Sequence, residues 1–470
     1  MKQEFRTEHD FLGERTIANH LYYGIQTLRA IENFKLTGLP ISKEPVFIKS
    51  MAMVKKAAAM ANLELGVLTP EVASAIVAAC NRLIKGEFAD QFPSDMIQGG
   101  AGTSVNMNAN EVIANIGLEY MGHKKGEYEF LHPNNHVNCS QSTNDAYPTA
   151  FRIALYFKVN ELLEALDLLQ NSFAEKGVEF ERVLKMGRTQ LQDAVPMSLG
   201  AEFKAFSVTL KEDIKRIREV QVLLLEVNMG ATAIGTAINA PANYPKVVTD
   251  YLGKITHLPI TLAEDLIEAT SDTGAFVFLS GVLKRTAVKI SKICNDLRLL
   301  SSGPRVGLNE INLPQLQPGS SIMPGKVNPV IPEMVNQTAY YVIGADLTIT
   351  MAAEAGQLQL NVMEPVIAFS LFNMLSYLAN AFVSLKEKCV DGITANEKEC
   401  YDMVMNSVGI VTSLNPLLGY EECSAIAKEA LKSGKSVHQI VVDEKGLLSQ
   451  DKWDEIYSFE NMIHPQFIAN

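Results

Sequence analysis

Paired cysteines, basic charge and unbroken apolar runs are all scarce in this sequence, and each shortage removes a class of function. The six cysteines, Cys80, Cys139, Cys294, Cys389, Cys400 and Cys423, form no CxxC pair. Neither a disulfide framework nor a zinc knuckle is indicated, and free thiols in a reducing cytoplasm are the expectation. Lys and Arg number 41 against 53 Asp and Glu, a net charge of −12. Nonspecific nucleic-acid and anionic-membrane binding both need a basic surface, so neither is expected, and an anionic ligand would require a local cation. No stretch approaches the roughly 20 uninterrupted apolar residues of a membrane span. The charged segment Met1–Glu14 lacks the apolar centre of a signal peptide. No GxSxG elbow, HExxH pair or Rossmann glycine fingerprint occurs.

What is present is apolar periodicity. With 47% hydrophobic residues over 470 positions, the chain can fill a large core in two to four folding units at roughly 100 to 200 residues each. In Phe151–Phe180, Leu155, Val159, Leu162, Leu163 and Leu166 recur at helical spacing. Similar segments run over 199–229, 262–300, 332–355 and 362–390. At about 24 to 39 residues each they would reach roughly 35 to 60 Å, which predicts an elongated bundle whose broad apolar faces bury against further copies of the chain. Shorter helices are predicted at 45–65, 70–85, 394–407, 421–433 and 437–444. Domain boundaries are placed near 141 and 395, giving an N-terminal domain 1–141, a central bundle 142–395 and a small C-terminal domain 396–470.

Three polar, glycine-bearing segments interrupt this apolar chain: Gly99–Glu111, Asn138–Asp145 and Gly319–Pro329. Glycines let backbone N–H groups approach a ligand, and Ser, Thr and Asn add neutral donors, a combination suited to carboxylates. Each segment taken alone is also a plausible helix cap or turn. The third carries a single cation, Lys326, and nearly matches a phosphate loop. Ser320 stands at the first glycine position, however, and Val327 at the magnesium-binding hydroxyl position, which argues against nucleotide. His132 and His136 are spaced i,i+4, but Pro133 disfavours a regular helix between them, and a turn with an anion contact is a better reading than metal. Gly187–Asp193 reads as a polar linker between helices, with Arg188 either an ion-pair partner or a ligand contact.

Gly319-Ser-Ser-Ile-Met-Pro-Gly-Lys-Val-Asn-Pro329 resembles the signature of the aspartase/fumarase superfamily. Tyr23–Thr27 with Arg29, Gly100–Ser104, Ser142–Asp145 and Gly187–Thr189 resemble its other landmarks in order and spacing. The resemblance implies a mainly α, three-domain subunit and a homotetramer on a twenty-helix core, with each active site assembled from three subunits. Within the superfamily the chain is more similar to aspartases than to class II fumarases, which typically have Ser-Ser-Asn-Asp at 142–145 and His at Gln190. The alternatives are a fumarase and a catalytically silent structural oligomer of the same fold.

By that resemblance Ser320 is the general base. Thr103, Ser142, Thr143 and Ser321 surround the β-carboxylate, and Lys326, Thr189 and Asn328 hold the α-carboxylate. Asn144 with Thr103 grips the amino group, and Gln190 is a candidate helper. No cofactor is implied. Some aspartases respond to Mg2+, but no ligand set for it is identifiable in the sequence. The 132–135 turn resembles the second dicarboxylate site of fumarases, with Asn135 replacing the usual Asp.

Overall fold

A computed structural model describes residues 4–463. It is mainly helical, and its four small sheets have two strands each among the described residues. In chain order the elements that matter here are β1 (Phe5–Asp10), β2 (Gly13–Ala18), α1 (Ile25–Asn33), α2 (Pro45–Glu64), α3 (Pro70–Ile84), α4 (Thr103–Tyr120), α5 (Thr143–Glu179), β3 (Leu184–Thr189) and β4 (Gln192–Ser198). They are followed by α6 (Leu199–Gln221), α7 (Tyr244–Thr256), α8 (Glu268–Ser271), α9 (Gly274–Leu300), α10 (Val330–Glu354), α11 (Glu364–Lys388) and α12 (Glu397–Asn406). Short helices continue to Ile463.

The helix starts follow from local chemistry. Pro45 and Pro70 occupy first-turn positions that need no N–H, and the Thr69 hydroxyl accepts from Val72 N. Three predicted boundaries shift, the first being the end of α6, which stops at 221 rather than 229. α5 begins at 143 rather than 151, because Ser142 and Asp145 cap it reciprocally: Ser142 N donates to Asp145 Oδ1 at 2.9 Å, and Asn144 N to Ser142 Oγ at 3.2 Å. α9 begins at 274 rather than 262, because Asp265 accepts the N–H groups of Ile267 and Glu268 while Asp272 accepts that of Gly274, which breaks the segment into turns.

The chain divides into two compact units. The first contains Met1–Glu164, Lys215–Ala287 and Tyr340–Ala379. Its core is an aromatic cluster of Phe47, Tyr147, Phe151, Phe276 and Phe372, with ring centroids 4.7 to 5.5 Å apart along the chain of contacts. Burying each such ring contributes about 1.5–3 kcal/mol. The α1 start is held from below, as Glu111 of α4 accepts from Gly24 N, Gln26 N, Thr27 N and Thr27 Oγ1 at 2.6 to 3.1 Å. Arg29 pairs with Asp10 at 2.7 Å. These contacts give the Tyr23–Arg29 landmark a structural role.

The second unit contains Ala165–Ile214, Val288–Ala339 and Asn380–Asn470. Leu184, Met186, Val404, Ile410, Leu414, Ile426, Ile440 and Trp453 form one core within it. α11 is long and apolar enough to cross a membrane by length and composition, with mean hydropathy 1.7. Ile367, Leu371, Phe372, Leu375 and Leu378 are nevertheless buried against protein, as in the core helix of a globular fold.

Candidate functional site

In the first unit the structure brings Thr103, Ser142, Thr143 and Asn144 together at the starts of α4 and α5. Gly102, at φ 91°, lies so close to the buried Tyr147 ring of α5 that a Cβ there would sit 2.3 Å from it. Asn106 of α4 donates through Nδ2 to Thr143 Oγ1 at 3.1 Å. Two helix N-termini therefore share one place, with their partial positive charge available to an anion. Each side chain has a defined polarity. Thr103 Oγ1 donates to Gly100 O at 2.7 Å, which leaves its lone pairs as acceptors. Asn144 Nδ2 donates one N–H to Ala233 O at 2.7 Å, which fixes the amide and leaves Oδ1 and the second N–H unclaimed. Pro148 has no N–H for the carbonyl of Asn144, and Asn228 Nδ2 takes that carbonyl instead at 3.0 Å. Asn144 is thus clamped by both its backbone and its side chain.

The second unit holds the other predicted residues in two groups. Ser320, Ser321, Lys326 and Asn328 lie on an irregular loop closed at its base: Gly319 N donates to Lys326 O at 2.7 Å, and Asn328 Nδ2 to Gly319 O at 2.7 Å. A Cβ at Gly319 would fall 2.8 Å from Asn328. Ser320 Oγ accepts two backbone N–H groups, from Ile322 at 3.2 Å and Met323 at 3.0 Å. Lys326 is exposed and forms no ion pair among the described residues. A cavity of about 490 Å³ lies along the loop, lined among others by Arg298, Asn309, Asn312, Lys326, Asn328 and Glu333.

Thr189 and Gln190 sit at the exposed tip of the β3–β4 hairpin, which replaces the expected linker between helices. Gln190 and Leu191 have φ of 54° and 62°. This two-residue turn normally selects Asn or Gly, and side chains there cost roughly 1–2 kcal/mol each. The hairpin base is fixed by the fully buried Glu310, which pairs with Arg188 and, at 2.8 Å, with Lys185; Lys185 also reaches Glu202 at 2.5 Å. Arg188 is therefore an ion-pair partner in this structure. No hydrogen bond joins the hairpin tip to the 319–328 loop among the described residues.

Sequence reasoning missed the buried layer behind Thr143. Lys55 of α2 is fully buried, and its Nζ donates to Asn138 Oδ1 at 3.0 Å and Gln141 Oε1 at 2.9 Å. Asp145 is also fully buried and accepts from Ser142 N, Gly230 N and Thr232 N. Burial pushes its carboxyl up to about 6 against those N–H bonds and the Lys55 charge. The available signal was a lysine inside the apolar run of α2 and the repeated Asn106, Asn108 and Asn110 in α4, both of which violate helical amphipathicity.

Burial lowers Lys55 from the ordinary 10.5 to about 7, opposed by the charge of Asp145. Between those values the unfolded chain carries a proton that the folded chain does not. This residue's contribution to stability is therefore complete above about 10.5 and is lost as pH falls to about 7, at up to about 1.4 kcal/mol per pH unit. Lys55→Met should flatten the dependence of stability on pH between 7.5 and 9.5, measured by urea denaturation. An unchanged slope would contradict the assignment.

The 132–136 turn is internally bonded. His132 Nδ1 accepts from Asn134 N at 3.0 Å, and His136 Nδ1 accepts from His132 N at 2.9 Å, so both Nδ1 lone pairs are engaged. Among the described residues no group of three or more His, Cys, Asp or Glu gathers as metal ligands would.

Residues 13–344 match the family described as "Lyase", and residues 410–464 match "Fumarase C C-terminus". Aspartate ammonia-lyase of Escherichia coli K12 is 58% identical over 470 residues, covering 100% of this chain and 98% of its own length. The Pseudomonas fluorescens aspartate ammonia-lyase is 61% identical over 465 residues, covering 99% and 97%. Among solved structures, a fumarate lyase:delta crystallin from Brucella melitensis, bound to cobalt, superposes with TM-score 0.96 at 52% identity, covering 98% of this chain and 100% of its own. The class II fumarase of Schistosoma mansoni reaches TM-score 0.92 at 33% identity over the same shares.

Proposed function

The chain belongs to the aspartase/fumarase lyases, and on that premise we propose that it catalyses the reversible deamination of L-aspartate to fumarate and ammonia. The observation that carries this reading is the polarity of Asn144 and Thr103. Both present oxygen lone pairs: the one hydroxyl proton of Thr103 is spent on Gly100 O, and the N–H that Asn144 gives to Ala233 O fixes its amide with Oδ1 unclaimed. Lone pairs suit an ammonium group, whose three N–H donors need acceptors. Thr103 accordingly belongs at the amino end more than at the β-carboxylate. A departing hydroxide must be protonated, whereas an ammonium leaves as neutral ammonia, and Gln190 offers no acid.

Removing the proton beside the β-carboxylate creates a dianionic enediolate, whose stabilisation dominates the barrier. Ser142, Thr143 and Ser321, with the helix starts, supply neutral donors to it. Lys326, Thr189 and Asn328 anchor the α-carboxylate; Asn328 commits one N–H of its amide to Gly319 O and keeps the second for the ligand. Ser320 is the base. The two N–H groups on its Oγ favour an alkoxide over a hydroxyl. Loop 319–328, fastened at its base with Ile322 and Met323 exposed at its tip, closes over the substrate and excludes water.

The assembly is a homotetramer. On α10, Tyr340, Tyr341, Leu347 and Met351 form an exposed apolar stripe around Gly344, a surface that further copies of the chain would cover. A species of 51.6 kDa in analytical ultracentrifugation would refute the tetramer. We retain the three-domain division at 141 and 395 and a cytoplasmic location, the latter supported by six free thiols.

Absorbance near 240 nm should rise with L-aspartate. A rise with L-malate instead would identify a fumarase, and no rise with either a silent oligomer. Lys326→Ala should raise KM for L-aspartate about 10–100-fold through loss of one charge-assisted carboxylate contact. An unchanged KM in steady-state kinetics would remove Lys326 from the α-carboxylate.

A further inference from the structure

The two polar segments that supply Thr103 and Ser142–Asn144 also contain Asn106, Asn110, Asn138 and Gln141, which the proposed reaction does not use. They form a buried chain with one direction. Lys55 Nζ has N–H groups to give, so the Asn138 atom facing it is the oxygen Oδ1, at 3.0 Å. That oxygen also faces Asn106 and Asn110, each at 3.1 Å, so both present their NH2 groups to it. The same NH2 of Asn106 lies 3.1 Å from Thr143 Oγ1 and donates to it. Gln141 enforces the same sense, because its Nε2 donates to Val137 O and Cys139 O and leaves Oε1 for Lys55. The direction survives loss of one proton from Lys55, since an amine keeps two N–H groups for these two oxygens. The arrangement has a cost, for the amide oxygens of Asn106 and Asn110 are buried without a hydrogen-bond partner among the described residues. Unpaired oxygens of this kind call for an explanation, and holding the amide nitrogens in place supplies one.

We propose that Asn106 and Asn138, anchored by Lys55, are positioning residues that fix the hydroxyl of Thr143 as a hydrogen-bond donor to a substrate carboxylate. A threonine hydroxyl can otherwise turn its lone pair or its proton to a ligand with equal ease. With Asn106 occupying one of the two lone pairs of Oγ1, the proton is kept out of that direction and has fewer orientations to leave before the ligand arrives, and an enediolate gains most from a donor that reorients little during the reaction. The proposal rests on the reading that a dicarboxylate binds at Thr143.

Binding of succinate to the full-length protein by calorimetry tests it, because succinate carries both carboxylates and is not turned over. Asn106→Leu should weaken succinate about tenfold in the wild-type background, the effect of one misdirected hydrogen bond, and less than twofold in a Thr143→Val background. Equal losses in both backgrounds, or none in either, would overturn the proposal, since a merely structural role gives additive effects. If Asn106→Leu does not fold, Asn106→Asp, nearly identical in size but unable to donate, carries the same cycle. Lys55→Met should show the same dependence on Thr143. The result separates from the proposed activity. Coupled effects in a protein that does not deaminate L-aspartate would leave the chain of residues standing and reject the reaction. Additive effects in one that does would reject only the chain of residues. Failure of the wild type to bind succinate would overturn the proposal about Thr143, while the absorbance assay with L-aspartate decides the reaction by itself.

Discussion

Ser320→Ala should lower kcat for L-aspartate by about 10²–10⁴-fold, the span general-base catalysis usually supplies, while leaving the fold and succinate affinity near those of the parent. The substitution removes one oxygen from an irregular loop. That loop is closed by Gly319 N to Lys326 O and Asn328 Nδ2 to Gly319 O, neither of which involves the serine side chain. What is lost is the atom on which Ile322 N–H and Met323 N–H converge. A serine hydroxyl is a very weak base. It can act only where its anion is stabilised before substrate arrives, and two N–H groups aimed at a single oxygen do this at no cost of reorganisation. Steady-state kinetics at 240 nm with circular dichroism as the folding control is the measurement. Turnover close to the parent's would move the base elsewhere.

Gly102→Ala should cost both stability and activity. Its backbone lies at φ 91°, where an L side chain is penalised by roughly 1–2 kcal/mol. Its Cβ would stand 2.3 and 2.6 Å from the Cδ2 and Cε2 atoms of Tyr147. The ring cannot step aside, because it is fully buried and packed edge-on against Phe47 at 5.3 Å. Overpacking of this kind adds about 1–3 kcal/mol. The strain would be relieved by moving the start of α4, which carries Thr103. A displacement near 1 Å at a ligand-binding group lowers kcat/KM by about 10²-fold. Urea denaturation and kinetics on the same preparation test both parts, and a variant with parental stability and parental kcat/KM would refute the account.

Much of the fold was legible in the sequence because long helices announce themselves through apolar spacing. α2 and α3 end within a residue of their expected limits, since proline starts both. α6 stops at 221, short of the expected 229, and the two late or early helix starts fell where side chains, rather than periodicity, set the boundary: the capping pair Ser142 and Asp145 at α5, and Asp265 and Asp272 ahead of α9. The β3–β4 hairpin was missed because its tip, Gln190-Leu191, lacks the Asn or Gly that usually marks such a turn.

The candidate site was readable as three polar loops, since clustered hydroxyls, amides and glycines stand out against apolar helices whatever the chain does in space. Their residue types, the single cation Lys326 and the signature around Ser320 were determined by the sequence alone. The direction of each hydrogen bond was not. Thr103 is an acceptor because Gly100 O, 2.7 Å away, takes its one proton; Asn144 has its amide oriented by Ala233 O; and Asn106 gives its NH2 to Thr143 Oγ1 because Asn138 and, behind it, Lys55 turn it that way. A hydroxyl or amide carries both polarities in a sequence. Only packing, which fixes the partner already present, decides which of the two is left for a ligand.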